Sequence, residues 1–360
     1  MSDPAVLRHV IGAITPASVA HGAAARRRVA AAGAPVLERL AAAIGAAQHT
    51  SRPRTARRTI VVCAGDHGVG DPGIALGPAH PTVIAARAIA DGSAALAQLA
   101  RASRAPIVLV DAGAREPAEL PASAIRLGRR PSGDLMAGPA MTVVDAALAL
   151  EAGIALAVAL ADDGIGVSPR QPDAPRGLER SEGGGRGPAG SAGGAGGEAP
   201  RGIDVIAVGA LGVGADVASA ALLGAATGAP PTGLADPLAE AAGAQGAALA
   251  GASALELLAA FGGPETGVLA GLMLAAASTN VPVILDGYAT GAAALIAVAL
   301  APSTAGYLIA AHAGSFTHSR ILTHLGLHPV FELGLGHGEG TGAAMALALI
   351  DHMAAVASRG

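Results

Sequence analysis

The chain has 360 residues, enough for one large α/β domain with an appendage or for two domains, and 52% of them are hydrophobic while only 1% are aromatic. A net charge of −4 gives no electrostatic footprint for nucleic acid, and the single cysteine, Cys63, excludes an intrachain disulfide and a Cys-rich metal site. All 23 basic residues are arginine, so a bound phosphate must be met by Arg, a metal or a helix end.

Residues 1–58 are predicted as N-terminal helices outside the main sheet, part of a small helical domain. Val29, Val36, Leu37, Leu40 and Ile44 recur there at helical spacing. Arg26-Arg27-Arg28 reads as a solvated helix face. The N-terminus lacks the basic-then-apolar pattern of a signal peptide, and apolar runs such as Ala292–Ala301 are too short to span a bilayer. A cytoplasmic protein without membrane contact is expected.

Residues 59–165 form the first part of an α/β domain. Thr59–Ala64 is a continuous apolar, β-branched run, as in a buried parallel strand, and it ends in Gly65-Asp66-His67-Gly68. Cys63 in that run reads as a buried, inert thiol. A helix over Val83–Ala102 follows, then the strand Ile107–Val110 with Asp111-Ala112-Gly113 at its end. Thr142 is placed to cap a helix over Val143–Ala152, and a further helix covers Ile154–Ala161. Residues 166–202 are rich in Gly, Pro, Ser and Arg and read as a disordered insertion by composition.

The second part of the α/β domain spans residues 203–342. Ile203–Val208 is a strand running into the turn Gly209–Gly214, with a helix from Ala215. Val281–Leu285 leads to Asp286-Gly287 and the helix Ala292–Ala301. Tyr307–Ala310 leads to Ala311-His312. Pro329–Phe331 leads to Gly336-His337-Gly338-Glu339-Gly340-Thr341-Gly342, and a C-terminal helix within 343–360 packs with the small helical domain. Six short apolar runs alternating with helices predict a parallel sheet of about six strands flanked by helices.

In such sheets ligands bind beyond the carboxyl ends of the strands, and Asp66, His67, Asp111, Gly209–Gly214, Asp286, His312 and Glu339 all fall there. Glu339 stands alone among four glycines at a helix start, a setting that suits a general base. Gly209, Gly212 and Gly214 suit a phosphate cradle, together with Gly340 and Thr341 at the next helix start. Asp286 can hold a ribose hydroxyl or begin a turn. Asp66-His67 can be a metal pair, but the spacing of the other acids defines no ligand set.

On these residues the chain resembles the nicotinate-nucleotide:dimethylbenzimidazole phosphoribosyltransferases. The resemblance rests on Ala64-Gly65-Asp66-His67-Gly68-Val69, Pro139-Ala140-Met141-Thr142, Leu285-Asp286-Gly287, Ala310-Ala311-His312, Leu325-Gly326-Leu327 and Gly338–Ala344, in that order. It implies a homodimeric enzyme of parallel α/β fold with a smaller helical domain. The implied substrates are nicotinate mononucleotide and a benzimidazole base, with no metal or redox cofactor. It maps the family's catalytic base onto Glu339 and places Leu211, His337, Asp66 and His67 around the acceptor base.

The departures are specific. The family loop Gly-Glu-Met-Gly-Ile-Gly-Asn-Thr-Thr is here Gly209-Ala210-Leu211-Gly212-Val213-Gly214-Ala215-Asp216-Val217. The family's phosphate-side Lys falls near Ala241, Ile84 stands near a Gln that lines the base pocket, and His337 replaces an apolar residue. A transferase with another base or nucleotide, and a non-catalytic nucleotide-binding relative, remain as alternatives. A metal hydrolase built on Asp66, His67 and Asp286 is the more distant one.

Overall fold

The computed structural model describes residues 5–69, 73–163, 202–228, 234, 236–335 and 338–358. Six strands, all paired in parallel, form one sheet: β1 (Arg58–Gly65), β2 (Ile107–Gly113), β3 (Ile125–Arg126), β4 (Val205–Leu211), β5 (Val283–Leu285) and β6 (Leu308–Ala310). Their order is β3-β2-β1-β4-β5-β6. The order reverses between β1 and β4, the crossover point at which doubly wound sheets bind ligands.

The strands are apolar throughout because both faces are covered. In β1, Val61 and Cys63 enter one core while Ile60, Val62 and Ala64 enter the other. The N-terminal helices are α1 (Ala5–Ala13), α2 (Val19–Val29) and α3 (Pro35–Ala47), followed after β1 by α4 (Pro81–Asp91) and α5 (Ala95–Ala102). Next come α6 (Val143–Asp163), α7 (Ala215–Thr227), α8 (Asp236–Ala248), α9 (Ala254–Phe261), α10 (Pro264–Ser278), α11 (Tyr288–Leu300), α12 (Phe316–Leu325) and α13 (Thr341–Ala357). α2–α5 and α13 cover one face through Val29, Ile44, Val83, Leu96 and Leu347. α6–α12, with Leu7 of α1, cover the other.

The structure corrects several predicted elements. Val330-Phe331 is no strand: Phe331 makes one isolated bridge, to His312. The sixth strand is β3, two residues too short to show a period in the sequence. The helix expected over Val83–Ala102 breaks at Gly92, which caps α4 at φ 86°. The two helices expected around Gly153 are one, α6. A Cβ on Gly153 would overlap the Val268 carbonyl and lie 2.8 Å from Leu272 N. That glycine therefore permits a close crossing with α10 and does not interrupt the helix. Val143–Asp162 is long and apolar enough to cross a membrane by length and composition, longer than the runs read in the sequence. Ala146, Ala149, Leu150, Ile154 and Leu160 lie in the core, whereas Val143, Val144, Leu148 and Val158 of the same helix are exposed.

Residues 166–201 of the expected insertion, and His337, lie outside the described residues.

Candidate active site

A cavity of about 210 Å³ opens beyond the carboxyl ends of β4 and β5. A single water takes about 30 Å³ of liquid, so this space admits a ring. Pro81, Thr82 and Ala85 of α4 form one wall, and Ala210, Leu211, Gly212, Val213 and Ala215 form the second. Tyr288, Ala289, Gly338 and Glu339 complete it.

Glu339 is the acidic side chain among these lining residues, and its loop is held on three sides. Ala210 N–H donates to the Gly338 carbonyl at 3.1 Å, which docks the loop on β4. Gly340 N–H and Ala343 N–H donate to Asp286 Oδ2 and Oδ1, at 2.7 and 2.9 Å. Gly209 lies inside β4, where a Cβ would overlap the Glu339–Gly340 peptide. So Gly209 serves the seating of the Glu339 loop and is not itself part of a phosphate cradle.

Asp286, read as holding a ribose hydroxyl or beginning a turn, is 0% exposed, and its two oxygens accept from backbone amides of the Glu339 loop. Gly340 and Thr341 are likewise not among the cavity-lining residues. The Gly340 N–H that a phosphate needs is held by Asp286.

Asp66 and His67 sit behind the wall and not around the base. Asp66 Oδ1 accepts from Thr82 Oγ1 at 2.6 Å and from Val213 N–H at 2.9 Å, while Oδ2 accepts from Arg115 N–H at 2.7 Å. His67 N–H donates to the Val213 carbonyl at 2.9 Å. The two residues thus grip Val213 from either side. The His67 ring lies between Ser132 Oγ and Glu265 Oε1, each at 3.0 Å. This Ser–His–Glu alignment has the spacing of a hydrolase triad, but all three residues are buried and none lines the cavity. Among the described residues no three of His, Cys, Asp and Glu converge as a metal site.

The electrostatics are set by acids. Burial disfavours charge on His67, but Glu265, then Asp66 and Asp216, outweigh it and hold the imidazole above its ordinary value. Burial would raise Glu265; His67 and the Thr266 hydroxyl overcome that and hold it below the usual carboxylate range. Tyr288 was not foreseen. Burial, then the charges of Asp216 and Glu339, push its phenol above the usual value, so it stays a hydrogen-bond donor. The Thr82 hydroxyl already donates to Asp66, which makes Tyr288 the uncommitted side-chain donor among the described lining residues. Its only sequence signal was its place directly after Asp286-Gly287. Ala85 lay within the helix expected from Val83, whereas Pro81 and Thr82 lay before it and carried no signal.

Of the two helix starts near the cavity, that of α7 suits an anion better. Gly214, at φ 81°, caps that helix without a side-chain hydrogen bond, and Val213 and Ala215 beside it line the cavity. No side chain caps its first turn, whereas at the start of α13 the Gly340 and Ala343 amides are held by Asp286. Gly212, expected at the phosphate, and Leu211, expected at the acceptor base, both line the wall; Gly214 shapes the turn behind it.

A larger groove of about 880 Å³ lies where Pro139–Thr142 meets α8 and α9. Its acids are engaged: Asp145 bonds Thr142, and Glu256 closes a capping box with Ser253. It holds no free group for chemistry comparable to Glu339.

A lone carboxylate and an uncapped helix start share one cavity at the crossover of a doubly wound sheet, an arrangement that suits group transfer from a phosphorylated substrate. A family model described as "Phosphoribosyltransferase" matches residues 14–168 and 191–359. The chain is 34% identical over 317 residues to a nicotinate-nucleotide–dimethylbenzimidazole phosphoribosyltransferase of Roseiflexus sp. (strain RS-1), covering 83% of this chain and 78% of that one. It is 36% identical over 303 residues to the protein so named in Azotobacter vinelandii, covering 83% and 79%. The crystal structure of the enzyme of that name from Thermus thermophilus superposes with a TM-score of 0.74 at 29% identity, over 95% of this chain and 96% of that one. The chain belongs to this phosphoribosyltransferase family.

Proposed function

We infer that the chain moves the phosphoribosyl group of nicotinate mononucleotide to 5,6-dimethylbenzimidazole, giving α-ribazole phosphate and nicotinate for the nucleotide loop of cobalamin. The family membership supports the reaction. The observation that carries the mechanism is that Glu339 is the one acid among the described lining residues.

In the nucleotide the nicotinate ring nitrogen is cationic, so it leaves readily. As the acceptor nitrogen bonds to the ribose carbon, the glycosidic C–N bond breaks and its electron pair neutralises the departing ring. The acceptor then carries one surplus proton, and Glu339 takes it. Positive charge develops at the ribose carbon in the cavity that Glu339 and the neutral Tyr288 phenol line, with the Asp216 charge also felt there by Tyr288. The phosphate sits at the α7 start, against Gly212. The enzyme works as a homodimer, a reading that rests on the family resemblance and that sedimentation of the purified chain checks.

The test mixes the protein with nicotinate mononucleotide and a panel of benzimidazoles, purines and phenols and follows nicotinate release. Benzimidazoles are expected to give the fastest release. Glu339→Gln keeps shape and a hydrogen-bonding oxygen but no longer accepts the proton, so turnover is expected to fall about 10²–10⁴-fold with both substrates still binding. Wild-type turnover in that variant removes the base assignment. Nucleotide binding without transfer to any acceptor would place the chain as a non-catalytic relative.

A further inference from the structure

Glu339 reaches the cavity from a turn of glycines, which by itself leaves a carboxylate poorly placed. Glycine fixes no dihedral by side-chain packing. Yet a general base must stay within hydrogen-bond reach of the proton it takes, and a displacement of about 1 Å is enough to cost roughly 10²-fold in rate.

The fold supplies the missing constraint from outside the turn. Asp286 is 0% exposed, and each of its oxygens accepts one N–H from the segment that follows Glu339: Gly340 at 2.7 Å and Ala343 at 2.9 Å. Asp286 is itself fixed, because its own N–H donates to Thr290 Oγ1 at 3.0 Å and Thr290 Oγ1 donates to the Gly287 carbonyl at 2.9 Å. His312 Nε2 lies 3.3 Å from Asp286 Oδ1 on the remaining side, in a ring stacked on Phe331 and edge-on to His318. No Cβ is tolerated between them: one on Gly342 would come within 2.5 Å of Asp286 Oδ1 and overlap the His312 ring. Both Asp286 oxygens thus accept from the loop, with His312 beside Oδ1, and Glu339 is the first side chain upstream of that grip.

We propose that Asp286 is a positioning residue for catalysis, which fixes the direction of the Glu339 carboxylate by holding the two amides after it. This rests on Glu339 being the base. The carboxylate is needed for its two acceptor oxygens. Asparagine keeps the volume but presents an NH₂ to one of the two N–H donors, so one hydrogen bond is lost and the turn is released on that side.

The experiment compares wild type, Asp286→Asn, Glu339→Gln and the double variant, with nicotinate mononucleotide and dimethylbenzimidazole. Amide hydrogen exchange at Gly340 and Ala343 is read in parallel. Asp286→Asn is expected to speed exchange at those two amides and to lower kcat about 10²-fold with KM for both substrates unchanged. The double variant is expected to be no slower than Glu339→Gln alone, since a base that is absent needs no positioning. Gly342→Ala, which intrudes on the same clamp without removing a charge, is expected to lower kcat in the same way; it serves if Asp286→Asn does not fold. A slow Glu339→Gln with undiminished kcat in Asp286→Asn and Gly342→Ala overturns the positioning role alone, as does a double variant slower by the product of the two single effects. Wild-type turnover in Glu339→Gln overturns the base reading and this role with it.

Discussion

Acids follow strands and turns at several points in this chain, and their surroundings assign them different work. Asp66 accepts three hydrogen bonds in full burial, from Thr82, Val213 and Arg115. Each orphaned buried donor costs about 1–3 kcal/mol. The Thr82 donor is buried and the other two part-buried, so Asp66→Ala is expected to lower unfolding stability by about 1–3 kcal/mol, read from denaturant midpoints; a base ligand would instead raise the acceptor KM and leave the midpoint alone. Tyr288 has the reverse profile. Its hydroxyl is bonded to no described residue and lines the cavity, so Tyr288→Phe is expected to keep the thermal midpoint and to raise KM for a substrate. An unchanged KM for both substrates would leave the phenol as wall only. Glu339 was legible in the sequence because its signal is local: a lone acid, glycines and a helix start. Asp66, His67 and Asp286 were legible as to place but not role. An acid at a strand end reads the same whether it points into a cleft or back at buried amides, and only the tertiary contacts decide which.

At the scale of elements, two helix starts compete for the phosphate. α13 begins at Gly340, and its first amides already face the Asp286 carboxylate. α7 begins at Gly214 with no side-chain cap and carries Asp216 in its first turn. An acid there stabilises the helix by roughly 0.3–1 kcal/mol but repels a bound phosphate. Asp216→Thr is thus expected to tighten nucleotide binding while slightly lowering the thermal midpoint; titration calorimetry with nicotinate mononucleotide reads the first. Unchanged affinity would move the phosphate away from α7. The strands of this sheet were visible in the sequence because a strand covered on both faces is a continuous β-branched run. β3 was not, since two residues carry no period, and its pairing with β2 is decided by the loop that delivers it. Gly92 and Gly153 show why helix boundaries were harder. The same residue type ends α4 through a positive φ and continues α6 through a close crossing. We propose that α2, α3 and α13, which share one core on the sheet, make up the helical lobe expected from residues 1–58 and 343–360.

The whole molecule is cross-tied behind the cavity by a buried ion pair. His67 stands on the loop after β1, Ser132 on the loop that leads towards α6, and Glu265 in the first turn of α10, and hydrogen bonds of 3.0 Å join them. A chain with so few aromatics has few bulky side chains to lock these layers, Phe261 and Tyr307 among them, so the pair does part of that task. Glu265 is also felt by Cys63, whose thiol burial, and then that charge, push up; the thiol stays protonated and inert. The pair makes stability depend on pH in a definite direction. Glu265 is held below its ordinary value, so its contribution is present above about 4.3, the unfolded glutamate value, and is lost as pH falls through its lowered one. His67 is held above its ordinary value, so its contribution is full below about 6.5, the unfolded histidine value, and is lost as pH rises through its raised one. The two overlap in the mildly acidic range. Breaking one side of a buried pair costs about 3–5 kcal/mol. The difference in thermal midpoint between wild type and Glu265→Gln is therefore expected to be widest near pH 5–6 by this linkage. It is expected to narrow both towards stronger acid and, above neutrality, as His67 loses its proton. A difference that stays constant across that range would mean that His67 and Glu265 meet as a neutral hydrogen-bonded pair, and the cross-tie would then rest on shape and hydrogen bonding without charge.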